Sequence, residues 1–143
     1  HRHFGSKDGV LQAVLQGMFT DVSGAAAAKL DPAAPDFIVR LFPLAAQRKT
    51  DWMILMRAVL DGYDFQQGGF SFPITGAVLA HASARRGKRD RETRKRAAAV
   101  IAGGIGWLLL QDYLAPILEL ESEDRDKLLV EMSKLYQTLI EVA

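Results

Sequence analysis

Apolar residues recur every three to four positions along most of the chain, and no stretch alternates with the period of two that a half-buried strand needs. Val10, Leu11, Val14, Leu15, Met18, Phe19 and Val22 form the first stripe. It predicts a helix after Ser6, which can cap the N-terminus, with Asp8 at the positive end of the helix dipole. Gly24 and Asp31-Pro32 follow it, and Ala25 to Ala28 extend that helix or belong to the linker. A second helix is expected from about Asp36, with Phe37, Ile38, Leu41 and Phe42 inward and Pro43 kinking or ending it. Thr50 or Asp51 can cap a third, whose stripe is Trp52, Leu55, Met56, Val59, Leu60 and Tyr63. A glycine-bearing loop with three aromatic residues runs from Asp64 to Phe72, and Pro73 suits the first position of the next helix, which fades at Arg86-Gly87. A long helix is expected from about Arg91 to Ala115, limited by Pro116. The last helix starts near Ser122-Glu123-Asp124 and carries Leu128, Leu129, Met132, Leu135, Tyr136, Leu139 and Ile140. The reading is all-α: about six helices and the stub of an earlier one, a bundle of six to seven.

The long helix changes this picture. Between Ala97 and Leu110 it is apolar nearly all round, whereas a helix on the surface of a lone subunit needs a polar face. Gly103, Gly104 and Gly106, with Ala99 and Ala102, remove side-chain bulk, and each glycine costs about 1 kcal/mol against alanine inside a helix. Three together call for a packing reason. Two readings stand: a central helix within one core, or a helix shared with a second copy in a four-helix interface. The second would use Gly103, Gly106 and Leu110 together with Leu128, Met132, Leu135 and Leu139, whose four-three-four spacing forms a seam. Gly103-Gly104-Ile105-Gly106 is no phosphate loop, because no strand precedes it and the spacing fits no nucleotide fingerprint.

Composition narrows the chemistry. The chain has 143 residues, 49% of them hydrophobic, enough for one core without staples. With no cysteine, disulfides, thiolate metal sites and thiol catalysis are excluded, and a reducing cytoplasmic setting fits. The opening His1-Arg2-His3 is not followed by the apolar run of a signal peptide, and the uncharged stretch Ala97 to Gln111 falls short of the roughly 20 residues a bilayer span needs, so no membrane contact is expected. Net charge is +1, yet Arg85 to Arg96 holds eight basic residues against two acidic ones, leaving the remainder acidic. A solvated loop and helix start explains that run; no aromatic residue is interleaved as single-strand binding would want.

The first residues carry a more specific pattern. His1-Arg2-His3-Phe4-Gly5-Ser6-Lys7-Asp8-Gly9-Val10-Leu11 resembles the junction in TetR-family transcriptional regulators where the recognition helix ends and the next helix begins. The family pattern is roughly Tyr-x-His-Phe-x-Ser-Lys-x-x-Leu-Leu; His3, Phe4, Ser6, Lys7 and Leu11 match, while His1 replaces the usual tyrosine and Val10 the common leucine. The resemblance implies that residues 1–6 end a helix-turn-helix domain lying upstream and that residues 7–143 form an effector-binding and dimerisation domain. It implies operator DNA as a partner, with His1, His3 and Lys7 on backbone phosphates. Lys7 suits that role physically, since it would stand in a helix's first turn beside free backbone N–H groups.

In a TetR-like body the effector lies among the helices between the DNA-binding end and the dimer interface. Candidate lining residues are Phe37, Leu41, Trp52, Met53, Met56, Leu60, Phe70, Phe72, His81, Trp107, Gln111 and Tyr113, for each of which ordinary core packing is the competing reading. They suit a small apolar or amphipathic effector. No cofactor is expected, and no catalytic constellation is present: there is no His-x-x-His, Glu-x-x-His or Gly-x-Ser-x-Gly, and the carboxylates from Glu119 to Asp126 fall in a connecting turn. The expected function is a ligand-responsive repressor; the alternative is a homodimeric helical small-molecule-binding protein with no DNA role.

Overall fold

The computed structural model describes residues 2–20, 29–66 and 73–142, with side chains described from residue 9 to 18 in the first of these stretches. Six helices lie among the described residues: α1 Arg2–Thr20, α2 Phe37–Ala46, α3 Lys49–Leu60, α4 Pro73–Arg86, α5 Arg91–Ile117 and α6 Arg125–Glu141, with no strand. The all-α class is as expected.

The ends of the helices depart from expectation in instructive ways. α1 runs through Ser6 without a break, so Ser6 stands within the helix and not at its N-terminus, and the expected stub and first helix are one element. No proline interrupts Phe4-Gly5-Ser6, and a serine inside a helix costs too little to stop it. Asp36 stands at the N-cap of α2 but spends its carboxylate on Arg40, 2.7 Å away. α3 begins two or three residues earlier than a Thr50 or Asp51 cap would allow, with Arg48 at its N-cap and Asp51 turned back onto Arg48. Asp90 caps α5 by accepting from the Thr93 amide at 2.9 Å, which holds its carboxyl well below the usual range. α6 does start within Ser122-Glu123-Asp124, with Asp124 as its cap accepting from the Asp126 and Lys127 amides.

Pro43 lies inside α2 and Pro116 inside the last turn of α5, so neither ends its helix. α5 closes two residues later in a Schellman turn: the Leu120 amide reaches Ala115 O at 2.7 Å around Glu119, a non-glycine residue at φ 59°. α4 closes with Gly87 at φ 71°, where an L side chain would be strained.

α5 is the spine. α4 and α6 pack along it, and α2 lies against α6. One cluster joins Phe37, Ile38 and Leu41 of α2 to Val78 and Ala82 of α4, Ala97 and Val100 of α5, and Ile140 of α6. A second joins Phe42 and Trp52 to Trp107, Leu108 and Leu128. A third seats Leu15 and Met18 of α1 against Ala58 of α3. Val10 and Val14, expected inward, are exposed, so the buried stripe of α1 is narrower than its apolar pattern.

At 27 residues α5 is longer than its uncharged stretch suggested, and by length and composition alone it is apolar enough to cross a bilayer. Its inner face is spent on the core through Ala97, Val100, Trp107, Leu108 and Ala115.

Candidate functional site

Helical spacing on four elements encloses an apolar chamber. Ile38, Leu41, Phe42 and Ala45 of α2 form one wall, and Trp52, Leu55 and Val59 of α3 another. Pro73, Ile74 and Val78 of α4 face Val100, Ile101, Gly104, Ile105 and Leu108 of α5. Met18 of α1 and Phe65 complete it. These sets follow the three-and-four spacing that puts side chains on one helix face. The chamber measures about 370 Å³, within the range of small-molecule pockets. Gly104 contributes by absence: a Cβ there would stand 3.3 Å from the Phe42 ring.

Polarity is confined to few groups. Among the described wall residues only Arg48 and Asp51 are ionisable, with Thr75 adding a hydroxyl. The Arg48 guanidinium meets a single Asp51 oxygen, Oδ2, through both Nε (2.6 Å) and the second terminal nitrogen. The Trp52 indole N–H is turned away, donating to Ala45 O at 2.7 Å and satisfying a carbonyl at the end of α2.

Of the residues anticipated as lining, Leu41 and Trp52 do face the chamber. Met53, Leu60 and Tyr113 do not: all three are exposed, Met53 and Leu60 because one residue past Trp52, or eight, is about a quarter turn off its direction. Met56 is half-buried outside the wall, and Trp107 is buried in the cluster with Phe42 and Leu128. Gln111 belongs to an end of the bundle, where its Oε1 accepts from Arg125, which also pairs with Asp112. Phe70, Phe72 and His1 lie outside the described residues, as do the side chains of His3 and Lys7. Sequence reasoning missed Ile38, Phe42, Leu55, Val78, Val100 and Ile105; the signal was there, since each stands three or four positions from another wall residue.

His81 is wholly buried but belongs to a polar relay instead of the chamber. Its ring stacks on Phe37 with centroids 4.9 Å apart. Pro32 O can only accept, so Nδ1 carries the proton, and Nε2 then accepts from the Gln137 amide nitrogen at 2.8 Å. Gln137 Oε1 accepts in turn from the Ile38 amide at 3.4 Å, doing for the buried start of α2 what Asp36 does not. Desolvation lowers the His81 pKa, outweighing the hydrogen bonds from Pro32 and Gln137; Arg85 pushes it the same way, and Glu141 opposes.

The basic run is more than a solvated loop. Arg86 binds Thr93 Oγ1 and the carbonyls of Ile140 and Val142, Arg96 binds Leu139 O at 2.7 Å, and Arg85 pairs with Glu141 at 2.6 Å. Three arginines thus grip the carbonyl end of α6, where the helix dipole is negative.

A second surface lies on the outer side of α5. Ala98, Ala99, Ala102, Leu110, Tyr113 and Ile117 are exposed, and Gly106 faces open space. Leu135 (63% exposed) and Leu139 of α6 adjoin them, since Arg96 reaches Leu139 O and Tyr136 packs on Gly103. Two residues expected at this surface are used inside the chain. A Cβ on Gly103 would stand 2.9 Å from the Tyr136 ring, so its bareness serves that ring, and Leu128 is buried in the core, with Met132 half-buried against it.

Among the described residues no three His, Asp or Glu side chains converge as metal ligands would. No family model, curated protein or solved structure matches this chain.

Proposed function

We propose that this chain is the effector-binding and dimerising body of a TetR-like transcriptional regulator, a ligand-responsive repressor in its simplest form. The observation that carries the proposal is the apolar chamber, one wall of which includes Met18 of α1. α1 is also the helix whose start bears His3-Phe4-Gly5-Ser6-Lys7. A ligand in the chamber therefore touches the element that would carry the DNA-binding head. For a ligand to shift the spacing of two heads it must bind one form of the dimer better than the other. The exposed apolar side of α5 and the neighbouring Leu135 and Leu139 supply a surface for the second copy. That surface would otherwise leave a contiguous apolar patch in water.

The test uses the full-length protein and the DNA flanking its own coding sequence. Binding that weakens steeply with salt, from a particle of two chains by light scattering, is the expected result. A lone subunit that ignores this DNA at low salt would overturn it. A dimer that ignores DNA would favour a helical small-molecule-binding protein instead, the reading to which the chamber alone, without the residue pattern of α1, would lead.

A further inference from the structure

The geometry points to an uncharged ligand for the chamber: a molecule with an apolar body and one hydrogen-bond donor, held by Asp51. This rests on the chamber's being the effector site, and it follows from how the charge there is spent. Arg48 and Asp51 are the only ionisable groups on the described wall, and they neutralise each other. Both guanidinium contacts fall on Oδ2. Oδ1 accepts no hydrogen bond from the described residues, although the Asp51 side chain is only 21% exposed. A half-buried carboxylate oxygen on a chamber wall is an acceptor for a ligand hydroxyl or N–H. An anionic ligand would gain little, because the cation it needs is already matched and its charge would enter an apolar enclosure. A cationic ligand would have to compete with Arg48 for the same carboxylate.

Two fluorescent probes share one apolar body and differ by a charge: N-phenyl-1-naphthylamine, which is neutral and carries an N–H, and 8-anilinonaphthalene-1-sulfonate. Titrated into the full-length protein, the neutral probe is expected to bind one per chain, at least tenfold tighter than the sulfonate. Asp51→Asn removes the negative charge opposite Arg48 and should tighten the sulfonate by about tenfold, with the neutral probe little changed, since an amide oxygen still accepts. Arg48→Gln should weaken the sulfonate further and serves as the independent check should the first variant not fold. Leu55→Trp fills the chamber and should abolish neutral-probe binding while helical circular dichroism persists; binding that survives it would place the probe on the outer side of α5 and overturn the assignment. Equal affinity for both probes in a chamber that Leu55→Trp closes would sink the uncharged-ligand inference and leave the effector site standing. No binding of either probe would remove the effector site itself.

Discussion

The two halves of the bundle are held by different kinds of force. Where α4 ends and α6 closes, the contacts are directional: the relay from Pro32 through His81 and Gln137 to Ile38, Arg86 and Arg96 on the last carbonyls of α6, and Arg85 on the Glu141 carboxylate. Around the chamber, the described wall residues of α1, α2, α3 and the middle of α5 are almost all apolar. Directional polar contacts specify one arrangement and tolerate little change, whereas apolar walls can repack around an occupant. The polar end is a frame and the apolar end an adaptable space, which is the division that a ligand-responsive body requires.

The largest expected effect comes from breaking the frame. His81→Leu leaves the buried Gln137 amide and the part-buried Pro32 O without their partner, at about 3 kcal/mol by the usual cost of buried unsatisfied groups. For a chain of this size that lowers Tm by roughly 10 °C. A loss no greater than that of Val59→Ala, at the edge of the chamber, would mean that the frame is no more demanding than the chamber wall.

Acid should attack the same end first. The folded-state pKa of His81 lies below its unfolded value, so the neutral ring is favoured in the fold. Above the unfolded value of 6.5 both states are neutral and the stability is fully present. As pH falls below it, the unfolded chain takes up a proton that the native chain resists. Stability is then lost, at up to about 1.4 kcal/mol per pH unit, until the folded value is passed. Protonation would also turn Nε2 into a donor against the Gln137 amide, and Gln137 cannot flip without facing the Ile38 N–H donor to donor. Urea midpoints at pH 7.5 and 5.5 should therefore differ in the native chain, and differ less in His81→Leu. Equal slopes in the two proteins would show that His81 is not the responsible group.

Gly103 and Gly106 sharpen the comparison within a single helix. Gly103→Ala must displace the Tyr136 ring and should cost about 1–2 kcal/mol, the range of an overpacked core. Gly106→Ala meets nothing within 4 Å and should stabilise a lone chain by up to about 1 kcal/mol through helix propensity. If the outer side of α5 seats a second copy, the same alanine should weaken association, and equilibrium sedimentation separates the two effects. A Gly106→Ala protein both destabilised and monomeric by the same free energy would tie folding to assembly.

Much of this was legible in the residues and some was not. Periodicity located the six helices of the described residues, and Pro73 and Arg86-Gly87 marked the ends of α4 correctly. The apolar run in α5 rightly stood out, since its outer side is uncovered in one chain. Spacing could not tell which neighbour a bare position serves: Gly103 and Gly106 look alike in sequence, and only the Tyr136 ring distinguishes them. Nor could it tell chamber wall from core filling. Met53, Trp52 and Leu60 are equally apolar, but α3 turns only Trp52 of the three toward α5. The grip of Arg86 and Arg96 on α6 was hidden because their partners there are backbone carbonyls, which every residue has.

The smallest expected effect tests the border between the two halves. Trp107 is 4% exposed, and its indole N–H has no hydrogen-bond partner among the described residues. It sits beside Phe42 and Trp52, whose other faces line the chamber, but not on the chamber wall itself. A buried unpaired donor costs about 1–3 kcal/mol, and Trp107→Phe removes it. The smaller ring loses packing worth a similar amount in the opposite direction. The two should nearly cancel, leaving a change within about 1 kcal/mol by urea denaturation. A loss well beyond that would mean that the N–H is satisfied in solution by a partner outside the described residues. The same substitution repeated on a dilute monomer would then show whether that partner comes from a second copy, because the excess would vanish with dissociation.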